Sequence, residues 1–133
     1  MHSKKELIQK AIEAKSKALP TYSNFHVGAA LLTKDGKIYQ GANIESSSYS
    51  LTICAERTAV FTAIVEGERK FKAIAVAGDT EEYLSPCGAC RQVLADLCGL
   101  DIDVILVNKE GKSKTLKLKE LLPYSFGEEF LRK

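Results

Sequence analysis

"KAIAVAGDTEEYLSPCGACRQVLADLCGLDIDVILVN", Lys72 to Asn108, holds two apolar runs on either side of an amphipathic segment. The first run, "KAIAVAGD" (72–79), is nearly continuous in apolar character, as a strand buried on both faces must be. The second, "IDVILVN" (102–108), has the same character. Between them the spacing predicts a helix starting near Gly88, with Val93, Leu94 and Leu97 on one face and Gly99 as its stop. Strand, helix and strand in that order form the unit of an α/β sheet.

The elements further out extend this unit. Upstream, a helix is predicted from about Cys54 to Glu66, with Gly67 ending it, preceded by the strand-like "SLTI". "FHVGAALL" (25–32) and "KIYQGAN" (37–43) read as strands flanking "TKDG", where Asp35-Gly36 supplies the positive φ of a tight hairpin. Leu7, Ile8, Ala11, Ile12, Ala18 and Leu19 recur at helical spacing, and Pro20 is expected to stop that first helix. Downstream, a turn at "KEG" leads into "KSKTLKLKE". This lysine-rich alternation suits a solvated edge strand, since lysines discourage edge-to-edge pairing. The order α-β-β-α-β-α-β-β predicts a sheet covered by helices. With no internal repeat, low-complexity tract or linker, residues 1–133 read as a single domain.

Composition narrows the class of function. The 133 residues suffice for a core without disulfides, and 45% apolar with 27% charged residues is ordinary for a globular domain. A net charge of +2 is too small to imply a nucleic-acid or membrane-surface partner. No apolar run approaches the roughly 20 residues of a membrane span. The opening "MHSKKELIQKAIEAKSKALP" lacks the apolar core of a signal peptide, so a cytoplasmic, reducing location is expected. In such a compartment four cysteines favour metal binding or catalysis over disulfides.

Three of those cysteines fall at predicted helix starts. Cys87-Gly88-Ala89-Cys90 puts two sulfurs within reach of one ion, and the positive end of the helix dipole favours their thiolate forms. Alone, this motif fits half of a structural zinc site or a redox pair equally. Cys98 lies about 12 Å along the same helix from Cys90 and reads as a small core residue. His2, near the terminus, and His26, in a predicted strand, are poorly placed as ligands. Cys54 remains, at the other helix start. Three thiolates with one open position describe a catalytic rather than a structural zinc. Such a centre is net negative and needs positive potential, which two helix dipoles and Arg57 supply. Glu56 stands two residues from Cys54. In mid-helix that separation turns side chains about 200° apart, but in the first turn of a helix aimed end-on at the ion both reach it. A first-turn carboxylate is also what the dipole favours by itself. Beside a three-thiolate zinc, we read Glu56 as a proton carrier.

Cys54-Ala55-Glu56-Arg57, followed by Pro86-Cys87-Gly88-Ala89-Cys90-Arg91-Gln92, resembles the cytidine deaminases of the small, homotetrameric type. "YSNFHVGAALL" (22–32), "GANIESSSYSLT" (41–52) and "ELLPYSF" (120–126) match further blocks of that family, so the resemblance covers most of the chain. It implies a three-layer α-β-α fold on a central mixed five-stranded sheet, with one Zn²⁺ per subunit. It also implies hydrolytic deamination of cytidine and deoxycytidine to uridine and deoxyuridine with release of ammonia, a step of pyrimidine salvage. Read on spacing alone, Phe25 and Phe126 are core residues, and Asn43 and Glu45 are turn residues. The resemblance implies instead that Phe25 packs against the pyrimidine and that Asn43 and Glu45 bond the ribose hydroxyls. Ala55 would hold the base through its backbone, and Ser85 would accept from the amino group through its carbonyl. Tyr49 and Phe126 would come from neighbouring subunits of the homotetramer.

Two departures stand out. "SSSYS" (46–50) replaces the family's usual Asn-Ala-Ser-Tyr-Gly, and "PYSF" replaces Pro-Gly-Ala-Phe. Ser50 and Tyr124 bear on loop geometry and subunit contacts, away from zinc and proton transfer. Deaminases of a modified nucleoside or an aminonucleoside antibiotic share the zinc motif but need not keep "NIE" (43–45) for a plain ribose. Editors of polymeric RNA or DNA more often carry histidine in the place of Cys54 and want a basic groove. A non-catalytic zinc-stabilised binding module would need a fourth protein ligand, for which no residue has good spacing.

Overall fold

The computed structural model describes residues 3–131; His2, set aside above as a ligand, lies outside them. The two apolar runs become β3 (Phe71–Ala77) and β4 (Asp103–Val107). They pair in parallel from Ala73↔Asp103 to Ala77↔Val107, with α3 (Gly88–Cys98) as the crossover between them. The hairpin of β1 (Gly28–Thr33) and β2 (Ile38–Ala42) adds antiparallel to β3 through β1, and β5 (Ser113–Lys117) adds antiparallel to β4. The result is a mixed five-stranded sheet in the order β2-β1-β3-β4-β5. As expected, β5 is the solvated edge strand. Its residues Lys114, Thr115 and Lys117 are exposed.

Helices cover both faces, giving three layers. On one face α1 (Lys4–Ala14) buries Leu7, Ala11 and Ala14, and Leu7 and Ala11 join Ala30, Leu32, Ala75, Ile105 and Val107 from the strands. On the other, α2 (Ala55–Val65), α3 and the short α4 (Leu118–Leu121) close over Leu31, Ile74, Val76, Val104 and Leu106. Two glycines let the layers approach. A Cβ on Gly28 would stand 2.1 Å from the Ala11 carbonyl of α1, and one on Gly41 would stand 2.4 Å from both Ala55 O and Ala59 N of α2. Gly41 therefore sets the depth at which α2, and every side chain on its first turn, sits against the sheet. Cys98 packs against the same core, as its apolar neighbours imply.

Four boundaries differ from expectation. The lysine-rich alternation expected as strand over 112–120 ends at Lys117, because Leu118 turns into the core and opens α4. The first helix ends at Ala14 and tightens into a 3₁₀ turn at Lys15–Lys17, so Ala18 and Leu19 are extended rather than helical. The Leu19 N–H bonds the Asn43 carbonyl at 2.9 Å and its carbonyl accepts from Glu45 N at 3.1 Å; this pairing with a distant segment outweighs local helix propensity. Phe25, His26 and Val27 are likewise not strand. The Asn43 side chain holds Phe25 and Val27 instead, with Oδ1 accepting from Val27 N at 2.9 Å and Nδ2 donating to Phe25 O at 2.8 Å, and Asp79 accepts from His26 N. The expected strand at "SLTI" is a 3₁₀ turn (Tyr49–Leu51) after which Ile53 alone pairs with Ile44. Tyr124, where the family usually has glycine, takes a left-handed φ of 53° and is fully exposed.

Candidate active site

Cys54 is the N-cap of α2, and Cys87 is the N-cap of α3, with Cys90 in the first turn of that helix. The two helices pack side by side on the same face of the sheet, so their N-termini converge. The Sγ atoms of Cys54 and Cys87 are 3.8 Å apart, those of Cys87 and Cys90 3.3 Å, and all three lie within 4.8 Å of one another. Ligands on a tetrahedral zinc at about 2.3 Å stand about 3.8 Å from each other, so the three thiols fit that ion with one position left open. Cys90 is buried, Cys54 half-buried and Cys87 exposed.

The electrostatics agree with the donor set. A hydrogen bond from the Cys90 thiol, joined by Arg57 and Cys87, pushes Cys54 down to about 5 despite its partial burial. The Arg57 guanidinium reaches Cys54 Sγ through Nη2 at 3.5 Å, and its Nε is buried without a hydrogen-bond partner. Its pKa is raised, first by that bond to the thiolate. The half-buried guanidinium therefore lies against one of the three sulfurs, where a cation can offset thiolate charge. Glu56, only 5% exposed, is pushed up to about 7 by burial, with the Cys54 charge acting in the same direction. A carboxyl that titrates near neutrality can both take and give a proton there.

The cavity beside these groups has a volume of about 220 Å³, large enough for a pyrimidine ring. Glu56, Cys54 and Cys87 line it together with four of the expected substrate contacts, Phe25, Asn43, Ala55 and Ser85. Ala55 opens α2, where the first backbone N–H groups have no intrahelical acceptor. Glu45 and Tyr49 line an adjoining recess with Tyr22, Ser23 and Thr52; Thr52 borders both spaces. Hydrogen bonds from the Ser23 hydroxyl and the backbone N–H groups of Ser23 and Tyr22 hold the Glu45 carboxyl below its usual range. Phe126 is not brought to the cavity of its own chain. It is half-exposed and stacks on Phe130, their ring centroids 5.4 Å apart. Tyr49 is also largely exposed, with its ring edge toward Tyr22 at 6.2 Å. His26 lies away from the thiols, its Nδ1 3.4 Å from Asp79.

Sequence reasoning assigned no role to Arg91, which follows Cys90 directly. Its guanidinium makes three hydrogen bonds, two of them to the loop that enters Cys87. The available signal was an arginine next to a ligand on an amphipathic helix, but its acceptors lie on segments that only the fold brings near.

Comparisons with known proteins agree with this geometry. The family profile described as "Cytidine and deoxycytidylate deaminase zinc-binding region" matches residues 1–106. A cytidine deaminase of Halalkalibacterium halodurans is 54% identical over 120 residues, covering 90% of this chain and 91% of that protein. One from Sporosarcina psychrophila is 51% identical over 126 residues, covering 95% and 93% respectively. The crystal structure of cytidine deaminase from Burkholderia pseudomallei superposes with a TM-score of 0.92 at 46% identity, over 94% of this chain and all of that one.

Proposed function

The chain belongs to the cytidine and deoxycytidylate deaminase zinc-binding family, and from that premise we propose that it hydrolyses cytidine and deoxycytidine to uridine and deoxyuridine, releasing ammonia. One observation carries the reading: three thiols converge at two helix N-termini, two of them on the wall of a cavity that is also lined by a buried carboxyl near neutrality. A structural zinc site would need a fourth protein ligand, and the described residues bring none to the cluster.

Cys54, Cys87 and Cys90 would hold the zinc. When bound, it supplies a Lewis acid that polarises water at the open position. Glu56 would take a proton from the attacking water and pass it to ring nitrogen 3 as the water oxygen attacks ring carbon 4. The carboxylate then takes the second proton, from the hydroxyl added at ring carbon 4, and delivers it to the amino group, which leaves as ammonia as carbon 4 becomes the carbonyl, so one side chain moves every proton of the reaction. Phe25 packs on the ring, the Ala55 backbone and the Ser85 carbonyl orient the base, and Asn43 and Glu45 accept the ribose. Asn43 and Glu45 are already fixed by bonds to the segment from Tyr22 to Val27, which supports their use as a rigid sugar platform. Tyr49 and Phe126, both exposed in the single chain, complete neighbouring pockets in a homotetramer. The role is pyrimidine salvage in the cytoplasm; no helix among the described residues is long and apolar enough to cross a membrane.

Loss of ultraviolet absorbance from cytidine on adding zinc-loaded protein is the direct test. Cytidine and deoxycytidine should both react. Free cytosine, a cytidine nucleotide and an aminonucleoside antibiotic should react far more slowly. No absorbance change with cytidine would leave a zinc-stabilised binding module, and preference for the antibiotic would move the substrate class.

A further inference from the structure

Three short hydrogen bonds converge on a side chain that the deamination chemistry leaves unused. Arg91 Nε donates to the Pro86 carbonyl at 2.8 Å, Nη2 to Ser85 Oγ at 2.6 Å, and Nη1 to the Leu121 carbonyl at 2.7 Å. The first two acceptors belong to the loop running into Cys87, where Leu84 and Ser85 form part of the cavity wall. The third is the last residue of α4. On the next residue, Gln92 Nε2 donates to the Phe126 carbonyl at 2.9 Å. This loop lies outside the sheet and carries Pro86, which has no N–H to tie it down. A planar guanidinium fork can satisfy three acceptors in fixed directions, whereas a lysine ammonium on its flexible stem cannot reproduce that geometry.

We infer that Arg91 is a positioning residue for the deamination. It fixes the Ser85–Pro86 wall of the cavity relative to Cys87 and Cys90, which keeps the base in register with Glu56. It also ties that wall to the end of α4 at Leu121, and the adjacent Gln92 holds the Phe126 carbonyl. The inference rests on the reading above, in which the cavity holds the cytosine ring with its amino group toward Ser85.

The test compares Arg91→Lys, Ser85→Ala and the double variant with the unaltered enzyme. Each is measured for zinc content, thermal midpoint, kcat and KM for cytidine, and competitive inhibition by uridine, which lacks the amino group. We expect Arg91→Lys to keep its zinc and lose about 10- to 100-fold in kcat, the scale set by a small misplacement of the reacting group. Uridine inhibition should stay near its original value. Ser85→Ala removes one of the three acceptors and should lose less. The double variant should fall no further than Arg91→Lys alone, because Arg91→Lys already loses the contact that Ser85→Ala removes. Original kcat in Arg91→Lys, multiplicative losses in the double variant, or uridine binding weakened in step with turnover would each overturn the inference. If Arg91→Lys does not fold, Ser85→Ala decides: lower kcat with unchanged uridine inhibition supports the role, and unchanged kcat overturns it. Failure of the unaltered enzyme to deaminate cytidine would instead overturn the functional reading itself.

Discussion

The helices on the two faces of the sheet begin in different ways. On one face α1 starts at Ser3, whose Oγ accepts from Glu6 N at 3.2 Å, an ordinary oxygen cap that serves its own helix. On the other, α2 and α3 start at Cys54 and Cys87, and neither side chain caps the helix it begins. A serine there would turn inward to the first N–H groups. A thiol leaves those groups, and the positive helix end, facing the space the sulfurs share. The same local position thus stabilises an element on one face and equips a site on the other.

Replacing a cap on the site face should have the largest effect. Cys54→Ala is expected to abolish zinc retention and turnover together, read by metal analysis and the cytidine assay. Its thermal midpoint should no longer respond to a chelator, whereas removing zinc from the unaltered protein should lower it. A variant that lost turnover but kept its zinc would move the third ligand elsewhere.

The two glycine contacts separate the faces more finely. Gly28→Ala and Gly41→Ala each force a Cβ against helix backbone and should destabilise by about 1–3 kcal/mol. Only Gly41→Ala moves the first turn of α2, so only it should also lower kcat per zinc-loaded site. Equal kcat losses in both would mean that the faces are not independent. On the far face, Ser3→Ala should lower stability by about 1 kcal/mol and leave kcat unchanged, as measured by denaturant titration.

Asp79 links the two faces, pairing with Lys15 at 2.9 Å and accepting from His26 N at 2.8 Å beside Phe25. Burial raises its carboxyl, but the Lys15 and His26 contacts outweigh burial and hold the pKa below the usual carboxylate value. A carboxyl depressed in the folded state contributes stability that is present above its unfolded pKa and lost as pH falls through the lower folded one. Asp79→Asn should therefore cost less than about 1 kcal/mol at neutral pH. The gap in thermal midpoint should close as acid protonates the native protein.

How much could be read without the fold follows the same division. The strands, the hairpin and both metal-bearing helices were legible, because apolar periodicity and paired cysteines are local signals. The end of α1 was not, since Leu19 is captured by Asn43 and Glu45 from far along the chain. The Phe25–Val27 segment was read as strand because its apolar alternation is real, yet the side chains of Asn43 and Asp79 replace the ladder there. Arg91 stood in plain view beside Cys90, but its acceptors at Ser85, Pro86 and Leu121 meet it only once α3 and α4 are packed.

Glu56 is where the central claim can be tested most directly. In Glu56→Gln the amide keeps the shape of the side chain but cannot carry a proton. We expect full zinc content and about 10²- to 10⁴-fold lower kcat for cytidine, the range of a lost general acid–base group. A Glu56→Gln enzyme that retained its zinc and deaminated cytidine at the original rate would contradict the assignment.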